Sequence, residues 1–157
     1  MAEEDRSVFD LPTVDPTSTF KYGEFPEQVG DIFAPKVKKF NTLLVLIHGG
    51  YWRPEYDRVH LRPFAAALSE LGYQVISLEY RRIPGNPDAM VADIDLAIKN
   101  TYLKNYKPGQ KLLVFGASIK FCSILTDFLK KKISNDGVSG HQNPRFGVRF
   151  YQYCNHS

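Results

Sequence analysis

Three short segments of this chain are dense in apolar and β-branched residues: Leu43–Ile47, Gln74–Leu78 and Lys111–Phe115. Runs of this length without polar alternation are the mark of strands buried on both faces of a parallel sheet. Between the first two, from about Asp57 to Leu71, Leu61, Phe64, Ala65, Leu68 and Leu71 recur at helical spacing, and Gly72 supplies a stop. Between the second and third, a turn at Pro84–Pro87 precedes Ala89–Ile98, which sets Met90, Ile94, Ala97 and Ile98 on one helical face. The order strand, helix, strand, helix, strand predicts an α/β domain with a parallel sheet and right-handed crossover helices. Val29–Phe33 has the character of a further strand, closed by Pro35 and a polar turn at Lys36–Lys39. Phe121–Ile133 carries helical spacing, and Phe146–Cys154 alternates like a last strand. Residues 1–21 show no periodicity and read as an N-terminal arm, which leaves 22–157 as a single domain.

Composition narrows the function classes. A chain of 157 residues with 43% hydrophobic and 24% charged residues has the make-up of one folded globular domain. Its formal charge of +3 arises from 20 basic and 17 acidic residues spread along the sequence, so nucleic acid is not an expected partner. The one basic block, Lys130–Lys132, sits where a helix would end, a position that favours cations. Cys122 and Cys154 have no metal-ligand spacing and no paired framework, so neither a zinc site nor a disulfide scaffold is expected. The acidic N-terminus lacks an apolar leader and no run approaches the length of a membrane span, so the expected location is cytoplasmic, away from membranes.

In an open parallel sheet, ligands bind beyond the carboxyl ends of the strands. The residues to examine are therefore His48–Trp52, Glu79–Arg82 and Gly116–Lys120. In the first, Gly49 and Gly50 follow a buried strand, and glycine lets backbone N–H groups turn toward a developing oxyanion without a crowding Cβ. In the third, Gly116-Ala117-Ser118-Ile119-Lys120 begins as the Gly-x-Ser-x-Gly elbow, which exposes a serine hydroxyl on a tight strand-to-helix turn.

These motifs, with Tyr22-Gly23, Val29–Pro35, Glu79-Tyr80-Arg81-Arg82 and the helix from Asp88 to Ile98, resemble the α/β-hydrolase fold family, in its kynurenine formamidase and carboxylesterase branch. The resemblance covers more than half of the chain and ends near Ser118. It implies a serine hydrolase acting on a small ester or amide, with N-formylkynurenine-type formamides the best single substrate and no cofactor or metal required. Ser118 takes the nucleophile position, Gly49, Gly50, Tyr51 and Ile119 the oxyanion hole, and Tyr51 and Trp52 the substrate pocket. His48 is expected to shape the loop by hydrogen bonding rather than act as base, and Arg81 and Arg82 to pair with carboxylates or backbone carbonyls.

Two departures keep a second reading open. Lys120 stands where the elbow carries its second glycine, so Ser118 also reads as the N-cap of the following helix. Downstream of Ser118 the candidate base is His141 or His156 and the candidate acid Asp136, with Asp127 inside the expected helix. The alternative is a non-catalytic α/β-hydrolase-like fragment, truncated after the nucleophile region, with residues 119–157 of different origin. Such a fragment would leave a sheet edge open and self-associate through it.

Overall fold

The computed structural model of the chain describes residues 12, 14–49, 56–103, 110–116 and 150–151. The strands are β1 (Ser18–Lys21), β2 (Val29–Phe33), β3 (Thr42–Ile47), β4 (Gln74–Leu78), β5 (Lys111–Gly116) and β6 (Phe150–Tyr151). They form one sheet in the order β1-β2-β4-β3-β5-β6. β4, β3, β5 and β6 run parallel, while β2 runs against both β1 and β4. Helix α1 (Arg62–Glu70) lies between β3 and β4, and α2 (Pro87–Ile98) between β4 and β5.

The centre of the sheet is set by burial. All five apolar residues of Leu43–Ile47 are buried, and full burial of one such side chain contributes about 1.5–3 kcal/mol, more than a typical single hydrogen bond. Alternate residues of the strands face opposite layers. Leu43, Val45, Ile47, Ile76, Leu78 and Val114 pack with Met90, Ile94, Ala97 and Ile98 of α2. Leu44, Leu46, Val75 and Phe33 pack with Ala65, backed by Leu61 and Leu68. The two crossover helices therefore cover opposite faces of the sheet.

Local sequence explains the joins. Pro63 has no N–H to give to residue 59, so the expected helix from Asp57 opens instead with a separate 3-10 turn, Arg58–Leu61, capped by the Asp57 side chain. At the far end of α1, Gly72 adopts φ +105°, with Gly72 N–H on Ser69 O and Tyr73 N–H on Leu68 O, a paired closure that uses the left-handed freedom of glycine. Ile83-Pro84-Gly85-Asn86 closes through Asn86 N–H to Ile83 O with Gly85 at φ +74°, and Asn86 then caps α2, whose first residue is Pro87.

Three results differ from the sequence reading. Phe64 and Leu71 lie on the rim of α1, 50% and 59% exposed, because the helix seats on Leu61, Ala65 and Leu68 instead. β1 comes from the last residues of the aperiodic arm: its mostly exposed side chains carry no burial pattern, and pairing with β2 makes it a strand. The sheet is mixed, with β2 reversed, and only its β4-to-β6 part is parallel. Of the final expected strand, Phe150–Tyr151 pairs with β5, and the helix expected over Phe121–Ile133 lies outside the described residues. Among the described residues no helix is long and apolar enough to cross a membrane.

Candidate functional site

From β3 the chain crosses through α1 to β4 on one side, then returns through α2 to β5 on the other. Successive crossovers on opposite faces make the carboxyl ends of β3 and β5 a topological switch point, where open α/β sheets leave a crevice. Ile47 is the register partner of Gly116 there, so His48-Gly49 and the start of the Gly116-Ala117-Ser118 motif belong to neighbouring strand ends.

His48 is buried directly after β3. Its Nε2 lies 2.8 Å from Glu79 Oε1 and its Nδ1 2.8 Å from the carbonyl oxygen of Gly49, so both ring nitrogens face acceptors. The Tyr80 ring stacks on the imidazole at 4.4 Å, and the Tyr80 hydroxyl donates to the His48 carbonyl at 2.8 Å. The ring is stacked on one face and held at both nitrogens. It is not presented as a mobile base. Gly49 is thus the one expected oxyanion residue within the described part, and its carbonyl is fixed on His48.

Glu79, the residue after β4, is the hub. Oε1 accepts from His48 and, at 3.1 Å, from Tyr80 N–H, while Oε2 accepts from Arg58 N–H at 3.1 Å. Arg82 Nη2 lies 3.6 Å from Oε1, and Arg82 Nη1 donates to the Tyr56 carbonyl. Arg58 Nε in turn lies 3.2 Å from Oδ2 of Asp31, which also pairs with Arg62 Nε at 2.9 Å while Oδ1 accepts from Thr19. Burial works to raise the pKa of Glu79, but the His48 hydrogen bond and charge, with the Arg58 and Tyr80 amides, outweigh it and hold the carboxyl below its ordinary value. His60, edge-on to His48 at 5.9 Å, is pushed down by burial and by His48.

A second cluster sits on the α2 side. Asp93 is buried and takes the Arg81 guanidinium at 2.7 and 2.9 Å, the Arg81 N–H at 3.0 Å and Gln28 Nε2 at 2.7 Å. Burial opposes its ionisation, yet the Arg81 and Gln28 bonds hold its pKa low. Arg81 and Arg82 thus pair with carboxylates and a backbone carbonyl, the roles expected of them. Tyr22, whose hydroxyl donates to the Glu79 carbonyl at 2.6 Å, has its pKa raised first by burial and then by Asp93.

Gly50, Tyr51, Trp52, Ser118, Ile119, Lys120, Asp127, Asp136, His141 and His156 lie outside the described residues. Sequence reasoning gave Glu79, Arg58 and Asp31 no role. Asp31, a carboxylate amid the apolar strand Val29–Phe33, was the available signal, since a buried charge requires a partner. Among the described residues no group of three or more His, Cys, Asp or Glu side chains could hold a metal ion.

No family model matches the chain, and no curated protein matches it in sequence. Solved structures do. Esterase B from Lactobacillus rhamnosis, solved with a tributyrin phosphonate inhibitor, is 20% identical with a TM-score of 0.63, covering 92% of this chain and 50% of its own. Esterase 2 from Thermogutta terrifontis, solved with butyrate bound, is 18% identical with a TM-score of 0.53, covering 64% of this chain and 40% of its own. This chain has an α/β-hydrolase-like fold. It spans half or less of the length of these neighbours.

Proposed function

We propose that this chain is a serine hydrolase acting on small esters or amides. The observation that carries the reading is the Ile47 to Gly116 register, which starts the glycine motif and the serine motif from paired strand ends at the switch point. Ser118 attacks the acyl carbon, and N–H groups of the 49–51 segment and of Ile119 stabilise the tetrahedral oxyanion. His141 or His156 serves as base and Asp136 as acid. Tyr51 and Trp52 form the pocket wall, and an aromatic wall suits formyl-aromatic amides of the N-formylkynurenine type. The esterase identity of the structural neighbours supports ester chemistry as the broader class.

Lys120, where the elbow carries glycine, favours a second reading: a non-catalytic α/β-hydrolase-like module. A fluorophosphonate probe on the purified, folded chain separates the two, because it reports an activated serine without a known substrate. Labelling that disappears in Ser118→Ala is the expected result. A folded chain that takes no label belongs to the second reading. For a chain that labels, turnover of a formyl-aromatic amide against an alkyl ester then decides the substrate class.

A further inference from the structure

We infer that His48 is an imidazolium in the folded chain, donating from both ring nitrogens, and that it ties the carboxyl ends of β3 and β4 together as a positioning residue. Its Nε2 lies 2.8 Å from Glu79 Oε1 and its Nδ1 2.8 Å from the Gly49 carbonyl oxygen. A neutral imidazole has one N–H, so one of these contacts would set a ring lone pair against an oxygen lone pair. With both nitrogens protonated, each contact is a hydrogen bond of the length expected for a charged donor. The side chain is 0% exposed, which leaves the ring no solvent to turn toward and makes both contacts count.

A protonated Glu79 donating to a neutral ring would carry the same number of hydrogens, but its surroundings oppose it. Oε1 also accepts the Tyr80 N–H and Oε2 the Arg58 N–H, while Arg82 Nη2 lies 3.6 Å from Oε1 and Arg58 Nη1 3.9 Å from Oε2. Donors and cations on both oxygens favour the carboxylate, which these bonds hold below its ordinary pKa, so the proton belongs to the ring. The neighbouring cations oppose a charged ring less than Glu79 favours it. Arg58 and Arg82 are 18% and 16% exposed and screened by water, and His60, edge-on at 5.9 Å, is pushed toward its neutral form. Tyr80 offers its electron-rich ring parallel to the imidazole at 4.4 Å, a surface that suits a cation. An imidazolium has no lone pair with which to take a proton from Ser118. As holder of the first glycine of the proposed oxyanion motif, His48 rests on the hydrolase reading; its protonation state does not.

Nitrogen NMR of the histidine side chains in the isotope-labelled full chain, at neutral pH, reads the protonation directly. The four histidines are told apart by replacing the other three singly, so that His48 itself stays in place. Two protonated ring nitrogens are expected for His48. A pyridine-type nitrogen on His48 overturns the inference, whether the missing hydrogen sits on Glu79 or is absent. Glu79→Gln removes the charge that holds the imidazolium, and a pyridine-type nitrogen is expected to appear in that variant. Two protonated nitrogens surviving there would deny the carboxylate its part and overturn the inference as well. Should Glu79→Gln not fold, the wild-type spectrum decides alone. The spectrum needs no turnover, so a chain that takes no fluorophosphonate label refutes the hydrolase reading and leaves the imidazolium standing. Where the chain does label, Glu79→Gln is expected to slow labelling roughly ten-fold or more, as misplacement of a site element does, while Asp93→Asn leaves it unchanged. Equal rates in the two variants would take the positioning role from His48.

Discussion

Glu79 and Asp93 are both buried carboxylates held below their ordinary pKa and paired with guanidinium groups after β4, but they tie down different kinds of chain. Asp93 joins α2 to Arg81 and Gln28, elements that the hydrophobic layers already bring together. Glu79 joins His48, directly after β3, to Arg58 of the 3-10 turn, and neither of these residues belongs to an apolar layer. The same chemistry consequently reinforces packing in one place and substitutes for it in the other. A packed helix gains stability from its ion pair, whereas His48 and Arg58 are brought together by theirs.

The largest expected effect tests the packed side. Asp93→Ala should lower stability to urea by about 3 kcal/mol, the low end for breaking a buried pair, because Arg81 still reaches solvent. A loss below about 1 kcal/mol would mean that Asp93 supports packing no more than an exposed pair does.

Next comes Arg81→Lys, which keeps the charge but loses the fork on both oxygens of Asp93, for an expected cost of about 1.5 kcal/mol by the same denaturation measurement. A neutral outcome would make charge alone, without geometry, sufficient there.

Acid treats the two clusters alike in sign. Both folded-state pKa values lie below the ordinary 4.5 of Glu and 3.8 of Asp, so each carboxylate contributes stability above those values and loses it as pH falls through the lower folded ones. Stability carried by these groups should hold from neutral pH to about 5 and decline below about 4.5. A decline beginning near pH 6 would assign the loss to other groups.

The smallest effect sharpens the Glu79 side. Tyr80→Phe keeps the stack on His48 and deletes the hydroxyl bond to its carbonyl, for about 1 kcal/mol. Heat denaturation checks this number.

What could be read in the sequence followed the same division. β3, β4 and β5, both crossover helices and the Gly72 stop were legible because burial and turn chemistry write local patterns. β1 was not, since an edge strand is formed by its partner and carries no apolar alternation. Nor could Phe64 and Leu71 be separated from the true stripe, because helical spacing alone leaves the seat of the helix undetermined. The Asp31, Arg58 and Glu79 network unites residues from three elements through the registers of β2, β4 and β3, and no spacing in the chain encodes those distances. The glycine and serine motifs were visible, but only the Ile47 to Gly116 register relates one to the other.

The measurement that bears most directly on that relation is the emission of Trp52 before and after reaction with a fluorophosphonate. Since the segment after β3 and the motif after β5 start from paired strand ends, an adduct on Ser118 should shift or quench Trp52 emission, with no change in Ser118→Ala. An adduct on Ser118 that leaves Trp52 untouched, or a folded chain that takes no label, would contradict a shared crevice.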